Sequence, residues 1–285
     1  MTKLSRREFL RRSGLIGVGL GTSFSSPQLT EFAGRPFGLV SVHAQPDPQS
    51  LVVRTLQPDS VHRFNEASAG WYRLDDGFVQ RDTIQPIIPY ERPTLPERPG
   101  FWAEQIAPSS TVRRWCTGDA SVVTVLGFGA VVYVADRLTD RYGQVWYALA
   151  ADPNTEPAGW APALHYARWI GPRQQAQSKI MIGIDRPHMQ LLVYDRSHVI
   201  AQLPVYASAL PATPTTVTAV QPGMALDADR PLGIPWLMQL GSGERLHGAF
   251  WHNRFGTTGS SASIELPTFS ARWLYELLAG SPQAL

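Results

Sequence analysis

The stretch "PWLMQLGSGERLHGAFWHNRFGTTGSSASIEL", Pro235–Leu266, decides how the chain reads. Two apolar runs flank a glycine turn at Gly241–Gly243, the pattern of an antiparallel hairpin. The second run ends on His247–Gly248 and then Trp251–His252. The chain next narrows to small residues, Gly256 to Ser263, before Ile264 and Leu266 restart a strand. Small residues and a turn suit a catalytic nucleophile, yet only serines stand there: Ser260, Ser261 and Ser263. The stretch is therefore a serine site, an altered cysteine site, or a plain turn into a strand.

Outward from it, the C-terminal third reads as strands. "KIMIGIDRPHMQLLVYDRSHVIAQLPVYAS", Lys179–Ser208, predicts three strands with turns at Asp185–His188 and Asp195–Ser197. A further strand is expected over Thr213–Val220. "FSARWLYELLAG", Phe269–Gly280, is the clearest helix. Ala271, Leu274, Leu277 and Leu278 share one face, and Gly280 is a plausible stop. The fold class expected is mainly β with one C-terminal helix.

From Phe101 to Ile170, short β-branched runs cut by turns predict a small antiparallel barrel. An internal echo supports it. "GWYRLDDGFV", Gly70–Val79, and "VWYALAADPNTEPAGWAP", Val145–Pro162, both carry Trp-Tyr-x-Leu followed by glycine and an aromatic residue. Two copies of one supersecondary unit is the economical reading. Both are similar to bacterial SH3-like modules, the first truncated or diverged in its leading half. "PDPQSLVVRTLQPDS", residues 46–60, reads as a tether. "PYERPTLPERPG", residues 89–100, reads as a semi-rigid linker or external loop. The organisation expected is an export segment over 1–44, a tether, diverged unit and linker over 45–100, an SH3-like module over 101–172 and a C-terminal domain over 179–285.

The N-terminus explains the basic pI. "LSRREFLRRSGLIGVGLG" pairs Arg6 with Arg7, preceded by Ser5 and followed by Phe9 and Leu10, then a short glycine-rich apolar stretch. That is the pattern of a twin-arginine export signal, which predicts a cell-envelope or extracellular location. The apolar stretch is shorter than the ~20 residues a bilayer span needs, so no integral membrane span is expected. "SVHA" before Gln45 offers small residues for cleavage. Residues 1–44 hold six of the chain's 25 basic and two of its 23 acidic residues; the remaining 19 and 21 leave no basic excess. A nucleic-acid partner is not expected. One cysteine, Cys116, admits no internal disulfide and reads as a small buried hydrophobe. The absence of a cysteine cluster, a His-x-x-x-His pair and a phosphate-binding glycine loop predicts no cofactor and no metal.

In the order of its anchors, the region 179–280 resembles the L,D-transpeptidase family. "IGIDRPHMQLLVYD" is similar to the family's opening strands and "ATPTTVTAV" to its Thr-Pro-x-Gly segment, with Thr215–Thr216 where glycine is usual. His247–Gly248 matches the catalytic His-Gly pair, and "ARWLYELL" the helix that follows. "SSASIEL" stands where the family writes Ser-His-Gly-Cys-(Val/Ile)-(Arg/Asn)-Leu. Ser260 and Ile264 match. Ser261 replaces the histidine, Ala262 the glycine, Ser263 the nucleophilic cysteine and Glu265 the Arg or Asn.

The resemblance implies acyl transfer between peptidoglycan stem peptides, with Ser263 at the nucleophile's position and His247 at the base's. It also implies a peptide cleft formed by Gly248, Trp251, His252, Ser260, Ser261, Ala262 and Glu265. A thiolate is within reach of an imidazole partner, whereas a serine hydroxyl needs a placed base and an oxyanion hole. Ala262 sets a methyl, and Glu265 a carboxylate, where such a site does not want them. Three readings stay open: a silent member that still binds wall peptides, an acyl transferase or hydrolase using Ser263 and His247, and a scaffold whose SH3-like modules bind a partner.

Overall fold

The structure, a computed structural model, describes residues 31–279 apart from 69, 90–91, 172–179, 209, 212 and 226–231. The twin-arginine motif lies outside the described residues. The described chain is mainly β with a single C-terminal α-helix, in three successive units.

The first unit holds β1 (Phe32–Pro36), β2 (Val40–His43), β3 (Val52–Leu56), β4 (His62–Ser68), β5 (Trp71–Leu74), β6 (Gly77–Gln80) and β7 (Ile84–Ile87). The second holds β8 (Phe101–Gln105), β9 (Ser109–Arg113), β10 (Val122–Gly127), β11 (Val131–Thr139), β12 (Val145–Ala150), β13 (Gly159–Pro162) and β14 (Tyr166–Arg168). Their strand orders are β3-β2-β6-β5-β4-β1-β7 and β10-β9-β13-β12-β11-β8-β14. Strand for strand, these are one topology written twice.

The Trp-Tyr-x-Leu echo now has a physical basis. Tyr72 and Leu74 on β5, like Tyr147 and Leu149 on β12, are buried, and the strand period of two makes the pair fall on one face. The glycines that follow admit the neighbouring strand. A Cβ on Gly77 would lie 2.5 Å from the His43 carbonyl oxygen, and one on Gly159 2.5 Å from that of Arg113.

The structure corrects four sequence expectations. The boundary at residue 44 falls inside the first unit, because β1 and β2 pair with β4, β7, β3 and β6. The tether over 46–60 contains β3, and the Ala44 N–H donates to the Leu51 carbonyl across a hairpin loop. The first unit is therefore complete in its leading half. Among the described residues both seven-stranded ladders have ends, β3 and β7 or β10 and β14, so the pairing is that of open sheets and not closed barrels.

The third unit holds β15 (Ile180–Asp185), β16 (Gln190–Asp195), β17 (His198–Pro204), β18 (Tyr206–Ala207), β19 (Val217–Met224), β20 (Ile234–Leu240), β21 (Arg245–Ala249), β22 (Thr257–Thr258), β23 (Ile264–Pro267) and α1 (Thr268–Ala279). β15–β17 form one antiparallel sheet. The other sheet runs β19-β20-β21-β23-β18-β22, with β21 and β23 parallel. One core joins both sheets and the helix through Leu191, Leu203, Met238, Leu246, Leu266 and Leu274.

The units share packing. Val131 of β11 joins the third unit's core, and Leu232 and Phe250 join the second's. Trp169 packs edge-on against both Trp236 and Tyr275. A buried arginine helps to fasten the first unit. Arg35 donates to Gln85 Oε1 at 2.6 Å and to the Phe250 carbonyl at 2.7 Å, and pairs with Asp59.

Candidate functional site

The site is built by the parallel register of β21 and β23. His247 stands opposite Glu265, and Glu265 is also opposite Tyr206 of β18. Paired residues share a sheet face, so Tyr206, Glu265 and His247 form a row across three strands. Alternation sends Leu246, Ile264 and Leu266 to the core on the other face. Ser263 precedes β23 by one residue.

Glu265 is 2% exposed, and a carboxylate buried this deeply costs several kcal/mol unless it is bonded. Two partners meet it. His252 Nε2 lies 2.5 Å from one oxygen, and the Ser261 hydroxyl donates to the other at 3.1 Å. His252 Nδ1 accepts the Arg254 N–H at 3.1 Å. That bond places the ring proton on Nε2, where it is donated to Glu265. Both nitrogens of His252 are thus engaged, and the ring has no lone pair left to act as a general base.

The relay continues to Ser263. The Ser263 N–H donates to Ser261 Oγ at 3.2 Å. The Ser261 carbonyl accepts both the Ser208 N–H at 3.0 Å and its hydroxyl at 2.7 Å. Tyr206 lies against Gly259, where a Cβ would come within 2.0 Å of its ring, and its ring is 4.7 Å from that of His252. Ser261, Glu265 and His252 therefore act as a bonded set.

These groups surround an open cleft of about 940 Å³. Of the residues expected from sequence, Ser260, Ser261, Ala262, Ser263, Trp251, His252 and Glu265 line it together. His247 and Gly248 do not line it. His247 is fully buried, its Nδ1 3.0 Å from the Gly248 carbonyl and its ring 5.9 Å from that of Trp251. Gly248 faces the helix instead: a Cβ there would meet Pro235, Ala271 and Thr268 at 3.0–3.3 Å. Its place in a substrate cleft is corrected to a packing role under α1.

Sequence reasoning missed Tyr206, Arg245 and Arg254, which also line the cleft. Arg245 was findable, because it lies two residues before His247 on the same strand. Arg254 sits over the Tyr206 ring at 4.9 Å. Cys116 is buried in the loop between β9 and β10, far along the chain from this cleft. Among the described residues no cluster of three His, Cys, Asp or Glu is arranged to hold a metal, and no helix is long and apolar enough to cross a membrane.

No family model and no curated protein matches the chain. Among solved structures, one described as a "putative autolysin from Listeria monocytogenes" is similar at 10% identity, over 82% of this chain and 93% of that one, with a TM-score of 0.21. A likeness at that level supports neither a fold nor a function. The chemistry of the cleft has to be read from its own atoms. They offer a hydroxyl at Ser263, two guanidinium groups, and a backbone amide beside the hydroxyl that is already occupied by Ser261.

Proposed function

We propose that this chain is an exported cell-envelope protein whose third unit is an L,D-transpeptidase-like domain that binds peptidoglycan stem peptides without transferring acyl groups. The observation that carries this reading is the bond from the Ser263 N–H to Ser261 Oγ. Acyl transfer requires donors aimed at the developing oxyanion, and the amide of the nucleophile's own residue is a natural one. In this chain it is taken up by a neighbouring hydroxyl, which is itself held by Glu265. A carboxylate two residues from the reacting oxygen opposes the negative charge that must form there. His252 cannot substitute as base, because both ring nitrogens are bonded. His247, the remaining candidate, does not line the cleft.

The open cleft supports retained peptide binding, with Arg245 and Arg254 offered to carboxylates and Trp251 and Tyr206 to apolar parts. Incubation with tetrapeptide-stem muropeptides, followed by mass spectrometry, is expected to give no cross-link, no hydrolysis and no acyl adduct. An adduct on Ser263 that disappears in Ser263→Ala would overturn the silent reading. Sedimentation with purified sacculi is expected to carry the protein into the pellet; protein left wholly in the supernatant would count against wall binding.

A further inference from the structure

Beyond the His247–Glu265 row, β21 and β23 run on to Ala249 and Pro267. There a second cavity opens between the first unit and the third, about 710 Å³ with its mouth included. Phe32 and Tyr72 form one wall, and Phe255 and Phe269 the other. His252 borders this cavity as well as the Ser263 cleft. The walls are pinned together. Asn253 Nδ2 donates to the Arg81 carbonyl at 3.0 Å, and Arg35 donates to the Phe250 carbonyl at 2.7 Å.

Two charged side chains complete the lining, Glu66 on β4 and Arg81 just after β6. Glu66 is paired with Tyr72 in the β4–β5 ladder, and the Arg81 guanidinium sits 5.8 Å from the Tyr72 ring centre. They flank the same aromatic floor. Among the described residues neither enters an ion pair, with the other or with a third group. The module does not require them. In the second unit, Arg137 stands opposite the equivalent tyrosine, Tyr147, and Ala163 opens the short turn that Arg81 opens in the first. In the first unit, by contrast, the acid and the base both line the cavity against the third unit.

An apolar, aromatic pocket at a domain junction with a few convergent polar groups is the ordinary form of a small-molecule site. We propose that this cavity binds a zwitterionic amino acid or dipeptide with an apolar side chain. Its ammonium group meets Glu66, its carboxylate meets Arg81, and its side chain lies among Phe32, Tyr72, Phe255 and Phe269. The guanidinium fork matches a carboxylate, and its place over the tyrosine ring orients it. This site stands apart from the reading of Ser263 and does not depend on it.

The test is calorimetric titration of the full chain with leucine and leucyl-leucine, set beside their N-acetyl and carboxamide forms. At least one of the two zwitterions is expected to bind. Blocking either terminus is expected to weaken that binding about tenfold or more, the scale of one charge-assisted contact. Glu66→Gln is expected to erase the penalty for N-acetylation, and Arg81→Gln the penalty for amidation. Both residues are exposed, and the blocked ligands test the same point on the unaltered protein. Absence of binding by both zwitterions, equal affinity for the blocked forms, or indifference to both substitutions overturns the proposal.

Discussion

Ser263 and Glu265 lie two residues apart and line one cleft. A negative charge held there disfavours a second one nearby. A cysteine placed at 263 should therefore be a poor nucleophile. In Ser263→Cys, alkylation by iodoacetamide near neutral pH is expected to be slow. Adding Glu265→Gln should quicken it about tenfold, the change in thiolate fraction that one pKa unit brings. Peptide mapping separates this thiol from buried Cys116, which serves as a slow internal reference. Equal rates in the single and double variants would show that the carboxylate does not govern the position. The sequence marks Ser261, Ser263 and Glu265 as neighbours, but their bonding partners were not legible. Tyr206 lies on a strand of two residues and Ser208 just beyond it, too short a run to leave a periodic signal.

At the scale of elements, the two seven-stranded units repeat down to their loops. Residues 44–51 and 114–121 close with the same pattern, Ala44 N–H to Leu51 and Arg114 N–H to Ser121. If Gly77 and Gly159 serve one purpose, substituting either should cost alike. Gly77→Ala and Gly159→Ala each force a methyl against a backbone carbonyl, and each is expected to destabilise its own unit by about 1–3 kcal/mol. Gly118→Ala, with open space around its Cβ, should stay within about 1 kcal/mol. Amide exchange, read unit by unit, checks the comparison, and a Gly159→Ala as mild as Gly118→Ala would refute the shared role. The Trp-Tyr-x-Leu echo was legible because its residues point into a core. The leading half of the first unit was not. β3 is exposed at Val52, Val53, Arg54 and Thr55, so it lacks an inward row, and its proline-rich loop imitates a tether. The second unit also carries a pH dependence. Burial pushes His165 below its ordinary value, its Nδ1 2.9 Å from the Ser110 hydroxyl. The unfolded chain then binds a proton more readily than the folded one, so stability is fullest above about pH 6.5 and falls as pH drops through it. Unfolding midpoints between about pH 5 and 8 should show this slope, and His165→Gln should flatten the part that belongs to the second unit.

Across the whole molecule, the three units are held by a few buried polar bonds as much as by shared cores. Arg35, 5% exposed, meets Gln85, Asp59 and the Phe250 carbonyl, while Gln85 Nε2 donates to the Phe128 carbonyl at 2.9 Å. Burial pulls the Arg35 guanidinium down and Asp59 opposes that pull, so the side chain stays charged and needs all its acceptors. Gly127 leaves room for it, since a Cβ there would fall 2.2 Å from Nη2. Arg35 and Gln85 together tie the first unit to both others. A chain beginning at Gln45 would lack β1, β2 and Arg35, leaving β4 and β7 without the strand between them. Losing Arg35 alone would leave Gln85 Oε1 and the Phe250 carbonyl without the donor they have here. A chain beginning at Glu31 keeps β1, β2 and Arg35. One beginning at Gln45 is expected to lose the cooperative transition of the first unit and to show fast amide exchange from β4 to β7. If the chain is exported as proposed and its N-terminal segment is removed, terminal sequencing is expected to find a first residue ahead of Phe32. A mature protein that starts at Gln45 and still protects β4 to β7 would show that the first unit holds together without β1, β2 and Arg35.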